Sequence, residues 1–598
     1  MAEEEKRGFD LWLLWRLLSY ARADWHLFAL AGVLILASTG LELAPPYILK
    51  IAIDNYLLRP PVAAQAGLVR LAGIYLGITA GVFLTNYWQA YLLQLAGQRV
   101  IYRLRQAVFS HLQRLSLSFF DTRPVGQLVT RVANDTQALN QLYTEVLVTL
   151  FKDIFLLVGI TIAMLSLAPR LALLALVGVP LITLSTALYR HLARKAYRQV
   201  RLHLAGVNSF LQEHLSAMRL IQAFGRERAN FEQFTRVNQD YYQATMQELT
   251  VSAVFRPTMD LINSLVIALL VWYGGGQVIQ NLVTFGVLYA MINYTQQFFR
   301  PINDMAEKYT IMQAAMAAAE KVLGLLQEKP AVVDAPEVIV RPRWRGEIEF
   351  DHVWFAYQPP HWVLRDITFA VRPGETLALV GPTGAGKTSM ASLITRFYDV
   401  QQGEIRLDGV DIRQMPQGLL RRQIGLVLQD VSLFSGTIAE NLILGNPDTS
   451  RDRIIRAIEA AQADFVWDLP GGLEARVGER GVNLSLGQRQ LLALARALAV
   501  DPPVLILDEA TASVDSQTEQ LIQQALARAT AGRTTIVIAH RLSTIQNASR
   551  IVVVNHGEIV EQGTHGQLLA VRGLYWRLWQ LADQEEKILQ SAGKGFGP

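Results

Sequence analysis

Six apolar stretches decide most of what this chain can become: residues 27–48, 71–90, 146–167, 171–189, 254–273 and 282–299. A helix crosses the roughly 30 Å hydrocarbon layer in about 20 residues. Inside that layer only helices and closed barrels satisfy every backbone N–H and C=O. Six such runs predict an all-α membrane bundle. Composition agrees, with 51% hydrophobic residues, 18% charged residues and a mean hydropathy of +0.23 over 598 residues. The chain has no cysteine, which excludes disulfides, thiolate metal sites and a cysteine nucleophile.

Charge distribution orients the bundle. Short links join the first and second, third and fourth, and fifth and sixth stretches, while long polar segments follow the second and fourth. The first long segment carries Arg99, Arg103, Arg105, Arg114, Arg123 and Arg131. The second carries Arg194, Lys195, Arg198, Arg201, Arg219, Arg226, Arg228 and Arg236, whereas the short links hold few cations, such as Arg59 and Arg170. The excess of Lys and Arg beside the spans places both long segments and both termini in the cytoplasm. Both segments keep apolar residues at helical spacing, so the spanning helices are expected to run on beyond the membrane. They are expected to turn at short crossing helices near residues 119–122 and 224–227. Residues 9–20 read as an interfacial helix anchored by Trp12 and Trp15, without the basic start and cleavage site of a secretory signal.

Polar side chains interrupt the spans: Glu42, Asn86, Gln89, Lys152, Asp153, Arg256, Asp260, Asn293 and Gln296. Charge inside a bilayer is costly and usually faces a bundle interior or a wet cavity. Arg256 and Asp260, four residues apart, can pair on one helix face. Glu42, Asn86, Trp88, Asp260, Asn293 and Gln296 are the candidate lining of a substrate cavity. Their mixture of aromatic rings, amides and few charges suits an amphipathic drug, peptide or lipid.

After about residue 326 the pattern changes. A stretch rich in proline and charge (327–345) reads as a linker, and from Gly346 short β-branched runs alternate with helices, as in an α/β domain. The apolar strand Thr376–Val380 leads into Gly381, Pro382, Thr383, Gly384, Ala385, Gly386, Lys387, Thr388 and Ser389, then a helix. This is a phosphate loop in its strand–turn–helix context. Glycines let backbone N–H groups close on phosphates, the helix start adds its positive dipole end, Lys387 reaches the outer phosphates, and Thr388 can ligate Mg²⁺. A second buried strand, residues 504–507, ends in two carboxylates. Asp508 is placed for the Mg²⁺ shell, and Glu509 is placed to polarise the attacking water. A third, "TTIVIAHR", ends in His540, at the edge of a parallel sheet where ligands bind.

These motifs, in this order, make the second half resemble the nucleotide-binding domain of ATP-binding cassette transporters. With six spans ahead of it, nearly the whole chain is similar to an exporter-type half-transporter. The resemblance implies that Tyr357 stacks on adenine and that Gln429 senses Mg²⁺ and the attacking water. It further implies that Asp508, Glu509 and His540 are the metal-binding acid, catalytic glutamate and switch histidine, and that Asp515 communicates across a dimer. Residues 476–481 (RVGERG) resemble the segment that touches crossing helices. Leu484, Ser485, Leu486, Gly487 and Gln488 match the signature motif, usually Leu-Ser-Gly-Gly-Gln, which presents its helix start to the γ-phosphate held by the other chain of a head-to-tail dimer. Leu486 replaces the first glycine of that motif. Either the leucine is tolerated in a homodimer, or a weakened signature faces the inactive site of a different partner chain; the intact Glu509 favours the heterodimer.

The resulting expectation is ATP-driven export across the cytoplasmic membrane by alternating access, with ATP and Mg²⁺ as cofactors. The partners are a second half-transporter chain, the bilayer and an amphipathic solute, with no nucleic acid. The expected architecture is an interfacial elbow helix (1–26), a six-helix transmembrane domain with cytoplasmic extensions (27–326), a linker (327–345), a P-loop nucleotide-binding domain (346–583) and a tail (584–598). Six spans rule out a soluble cassette ATPase. An exporter-fold importer would be separated by transport direction, and a gated channel by steady hydrolysis coupled to solute movement.

Overall fold

The computed structural model describes residues 15–16, 19–57, 61–336, 339–341, 343–446, 448–508, 516–538, 545–581 and 583–584. The chain divides into two compact units, Met1–Gln113 with Gly126–Gln327, and Arg114–Val125 with Glu328–Pro598.

The first unit is helical throughout its described residues. Five helical segments are long and apolar enough to cross a membrane: Ser19–Leu57, Gln65–Leu112, Val125–Leu167, Pro169–Ser216 and Glu227–Ile279. The sixth expected span begins the 43-residue helix Phe285–Gln327, which falls outside that set because Asn293, Thr295, Gln296 and Gln297 dilute its apolar character. The second helix, Pro61–Leu112, has 52 residues. At 1.5 Å per residue it is about 78 Å long, more than twice the hydrocarbon thickness. Helices therefore do continue past the membrane, as their spacing predicts.

Breaks in these helices have local causes. The first span parts into Trp25–Glu42 and Ala44–Ala52, where Pro45 and Pro46 supply no N–H. Tyr294 donates to the Leu43 carbonyl at that joint, 2.7 Å away. The third segment contains two π-helical turns, Arg131–Asp135 and Leu142–Val146. The second crossing helix is Met218–Ala223, earlier than the expected 224–227. That later stretch is the corner, because Gly225 takes a left-handed φ of +59° that ends the helical path. The first crossing helix, Leu117–Asp121, overlaps its expected place and belongs to the second unit.

Small residues let the helices approach. A Cβ on Gly178 would sit 2.8 Å from Phe299 and Val266, and one on Gly274 would sit 2.6 Å from Leu288. Such positions gain dispersion contact where lipid offers no hydrophobic drive. At the far end of the first span, Asp54 accepts from the Thr284 hydroxyl (2.7 Å) and the Gly286 N–H (2.8 Å), capping the start of the Phe285–Gln327 helix.

The second unit is built on two main sheets. Its strands are β1 (Ile348–Phe355), β2 (Leu364–Val371), β3 (Thr376–Val380), β4 (Gln402–Leu407), β5 (Val410–Asp411), β6 (Ile424–Val427), β7 (Gly436–Thr437), β8 (Arg476–Val477), β9 (Val504–Asp508), β10 (Thr534–Ile538), β11 (Arg550–Asn555) and β12 (Glu558–Gly563). One sheet runs β12-β11-β3-β10-β9-β6, parallel except for β12; the other, β2-β1-β4-β5, is antiparallel; β7 and β8 form a ribbon. Every residue of β9 and β10 is buried. Alternate residues feed opposite cores. Val380, Leu505, Leu507, Val537 and Val553 pack with helices such as Leu486–Ala499, while Leu379, Val504, Ile506, Ile538 and Val552 pack with the antiparallel sheet and Met390. That two-sided burial explains why these strands read as unbroken apolar runs.

The stretch 327–345 is pinned to this unit. Val332 N–H donates to the Ser116 hydroxyl (2.9 Å), and Arg396, 2% exposed, reaches the Val333 carbonyl (2.9 Å), the Asp334 carboxylate (3.4 Å) and Asp399 (2.9 Å).

Candidate active site

The parallel register brings strand ends to one edge. Leu379 lies opposite Ile538, Ile538 opposite Asp508, and Leu507 opposite Val427. The turns that leave β3, β9 and β6 thus start side by side, at the carboxyl edge where α/β sheets bind ligands.

The loop after β3 is shaped by glycine. Gly386 caps the helix Lys387–Ile394 at φ +102°, where a Cβ would come 2.5 Å from Leu364. Gly381 sits against the Val554 carbonyl with no room for a side chain. Pro382, Thr383 and Gly384 are exposed, while Ala385 and Gly386 are buried beneath them. The Lys387 ammonium donates to the carbonyls of Gly381 (2.7 Å) and Pro382 (3.0 Å), folded back over its own loop. These bonds hold the cation where phosphate oxygens would draw it. Thr388, beside it, is exposed, and Ser389 is 6% exposed.

Tyr357 is 48% exposed and its hydroxyl lies 3.1 Å from Ser389 Oγ. Its ring stands edge-on to Phe355 (4.8 Å) and Tyr398 (5.1 Å), leaving surface free for a stacking partner. Asp508 is 7% exposed at the end of β9. Gln429, two residues past β6, is exposed. Glu509, Asp515 and His540 lie outside the described residues.

The signature stretch opens a 14-residue helix, Leu486–Ala499. Ser485 caps it: its hydroxyl accepts from Gln488 N–H (3.2 Å), and Gln488 Oε1 accepts from Ser485 N–H (2.9 Å). This capping box fixes the helix start. Leu484 is buried at 6%, Gly487 is buried, and Leu486, half-buried, is the first helical residue. Asn483 shapes the entry by accepting from Gly478 N–H (2.8 Å) and donating to the Arg476 carbonyl (2.9 Å). It thereby joins the signature to RVGERG, in which Arg480 holds a left-handed φ of +55°.

In the first unit the candidate cavity residues divide. Glu42 and Asn86 come together, but around a third residue. Lys152 donates to Glu42 Oε1 at 2.7 Å, Asn86 donates to the same oxygen at 3.2 Å, and the side chains of Glu42 and Lys152 are each 24% exposed. Trp88 is exposed between the edge-on rings of Tyr87 and Tyr91. Asn293 donates to the Tyr289 carbonyl of its own helix (2.9 Å), and Gln296 is exposed. The expected Arg256–Asp260 pair does not form; both side chains are exposed, with Pro257 removing an N–H from the turn between them. A cavity of about 790 Å³ in this unit has Trp25, Phe28, Leu36, Tyr143, Phe151 and Phe155 in its lining and none of the six candidates. Clustered aromatic residues at span ends were the available signal for it.

Comparison with known proteins comes to the same two halves. Residues 28–302 match the family described as ABC transporter transmembrane region, and residues 364–512 match the family described as ABC transporter. The chain is 39% identical, over 95% of its length and 94% of the relative's, to the uncharacterized ABC transporter ATP-binding protein YknV of Bacillus subtilis (strain 168). It is 36% identical to an ATP-dependent lipid A-core flippase of Syntrophus aciditrophicus (strain SB), over 97% of this chain and 96% of that one. It is 40% identical to a fatty acid ABC transporter ATP-binding/permease protein of Mycobacterium bovis, over 86% of this chain and 81% of that one.

Proposed function

The chain belongs to the ATP-binding cassette transporters as an exporter half-transporter, an ATP hydrolase coupled to transport, and we propose that it exports amphipathic solutes as one chain of a heterodimer. In this reading Lys387 and the loop Gly381–Ser389 bind the phosphates and Tyr357 stacks on adenine. Glu509 polarises the attacking water, with Gln429 and His540 beside the γ-phosphate, and Asp515 speaks across the dimer. Mg²⁺ suits the donors, since Thr388 offers an exposed hydroxyl and Asp508 a carboxylate, both hard oxygen ligands. When bound, it would offset charge on the β- and γ-phosphate oxygens. Closure of the nucleotide domains around ATP would favour the outward-facing state, because the trans signature contacts exist only there.

Leu486 carries the heterodimer reading. It puts an isobutyl group at the first helical position of the surface that faces the partner's phosphate. One observation favours a homodimer instead: the Ser485–Gln488 capping box is intact, so the helix start keeps its geometry. The relatives named for lipid A-core and fatty acids support the lipid end of the substrate range. The arginine excess of the long segments supports a cytoplasmic-membrane protein with the nucleotide domain (346–583), the elbow helix (1–26), the linker (327–345) and the tail (584–598) on the cytoplasmic side of the transmembrane domain (27–326). Affinity purification from native membranes tests the pairing. A second, non-identical chain of similar size should accompany this one, and recovery of a fully active single species would establish the homodimer.

A further inference from the structure

Tyr398 lies between the first crossing helix and the expected adenine aromatic. Its ring stands edge-on to Tyr357, with centroids 5.1 Å apart at 89°, and tilts against Phe355 at 5.7 Å. Tyr357 in turn reaches Ser389 Oγ on the phosphate-loop helix, 3.1 Å away. On its other side the Tyr398 hydroxyl donates to the carboxylate of Asp121, the last residue of the crossing helix Leu117–Asp121. A tyrosine hydroxyl is a proton donor at neutral pH, and burial, and then that carboxylate, push its pKa further up.

The crossing helix is held at two further points. Ser116, its N-cap, accepts from Val332 N–H at 2.9 Å. Arg123, just past its end, pairs with Glu328 at 2.6 Å while its guanidinium sits 4.2 Å over the Phe119 ring. A helix of five residues has little intrinsic stability, so these anchors set its position. The Asp121 anchor leads on, through one ring contact and one hydrogen bond, to the phosphate-loop helix.

We propose that Tyr398 is a positioning residue that transmits nucleotide occupancy at Tyr357 to the crossing helix through Asp121. The inference rests on the reading of Tyr357 as the adenine-stacking residue. Tyr398 touches no nucleotide in this scheme. A base stacked on the free face of Tyr357 restricts the tilt of that ring, the edge of Tyr398 follows the tilt, and its hydroxyl carries the restriction to Asp121. The route lies within one polypeptide, separate from the contacts that a partner's signature would make.

The test uses full-length protein, with its native partner if one co-purifies, in lipid discs. The chain has no cysteine, so Ser118→Cys gives a single labelling site on the crossing helix for an environment-sensitive fluorophore. Tyr398→Phe keeps the ring and removes the hydroxyl. Losing a hydrogen bond to a charged group corresponds to about a tenfold effect. The expected result is a kcat for ATP about tenfold lower, a KM within about twofold, and loss of the ATP-dependent signal from the label. Asp121→Ala should reproduce that pattern, and the double variant should be no worse than either single one. A wild-type label response in Tyr398→Phe, or additive losses in the double variant, overturns the proposal. Asp121→Asn, which keeps an acceptor oxygen, should restore much of the response, and failure to do so counts against it equally. Tyr357→Ala is the separate control. It should raise KM for ATP, and an unchanged KM would show that the adenine assignment had failed, rather than the link to Asp121.

Discussion

Lys152 on the third spanning segment donates to the Glu42 carboxylate on the first across 2.7 Å, and Asn86 on the second donates to the same oxygen. Three helices thus meet at one oxygen in the apolar part of the chain. Removing one partner of this half-buried pair leaves the other charge uncompensated, at a cost below the roughly 3 kcal/mol of a fully buried one. Glu42→Gln and Lys152→Met should each lower the thermal midpoint in lipid discs. The double variant should recover most of the loss, and simple addition of the two losses would mean that the residues do not act as a pair.

Glu509→Gln removes the proposed base while keeping the size of the side chain. Turnover should fall by about 10²–10⁴-fold, with ATP affinity retained and the ATP-bound dimer accumulating. Hydrolysis assays paired with nucleotide-trapping measurements decide this, and near-normal hydrolysis would remove Glu509 from the mechanism.

Leu486 distinguishes the two assemblies. If its helix faces a slow site on another chain, Leu486→Gly changes steady hydrolysis less than about twofold, because that site does not limit turnover. A several-fold rise would fit a homodimer relieved of an obstruction.

Gly386 holds φ +102° with Leu364 and the Val363 carbonyl where a Cβ would go. Gly386→Ala should lose about 1–3 kcal/mol through backbone strain and should weaken ATP binding by at least tenfold. Calorimetric titration with a nonhydrolysable nucleotide, alongside a melting curve, separates the two effects.

His352 and Asp366 face each other across the β1–β2 pair at 2.6 Å, both with left-handed φ. The hydrogen bond to Asp366, followed by its charge, raises the His352 pKa above its ordinary 6.5. A raised histidine contributes stability that is complete below its unfolded pKa and disappears as pH rises through the folded value. The melting temperature of the nucleotide unit should therefore lose a small increment as pH rises past about 6.5, and Asp366→Asn should abolish that slope. An identical slope in the variant would assign it elsewhere.

Local patterns made much of this molecule legible. A continuous apolar run and the glycine placement mark β3 and the phosphate loop, and strands buried on both faces show β9 and β10 as apolar runs. The signature helix matches its family motif in the sequence, and its serine, three residues ahead of a glutamine, forms the capping box that starts it. Contacts between distant residues were not legible. Nothing in the one-dimensional pattern joins Glu42 to Lys152, or Asp121 to Tyr398, because each contact depends on helix rotation about its axis. Arg256 and Asp260 illustrate the converse: a spacing that permits a pair does not form one when both side chains point outward around a proline. The apolar cavity around Tyr143 and Phe151 carries no polar interruption of a span to mark it in the sequence.

Asp54 gives the membrane unit a mechanical constraint. Its carboxylate closes the beginning of the last long helix from the far end of the first span. Rearrangement of the bundle must either carry these two ends along as a single piece or expose a stripped carboxylate and a bare helix start. While these two bonds last, the first and last spans share one end and cannot part there.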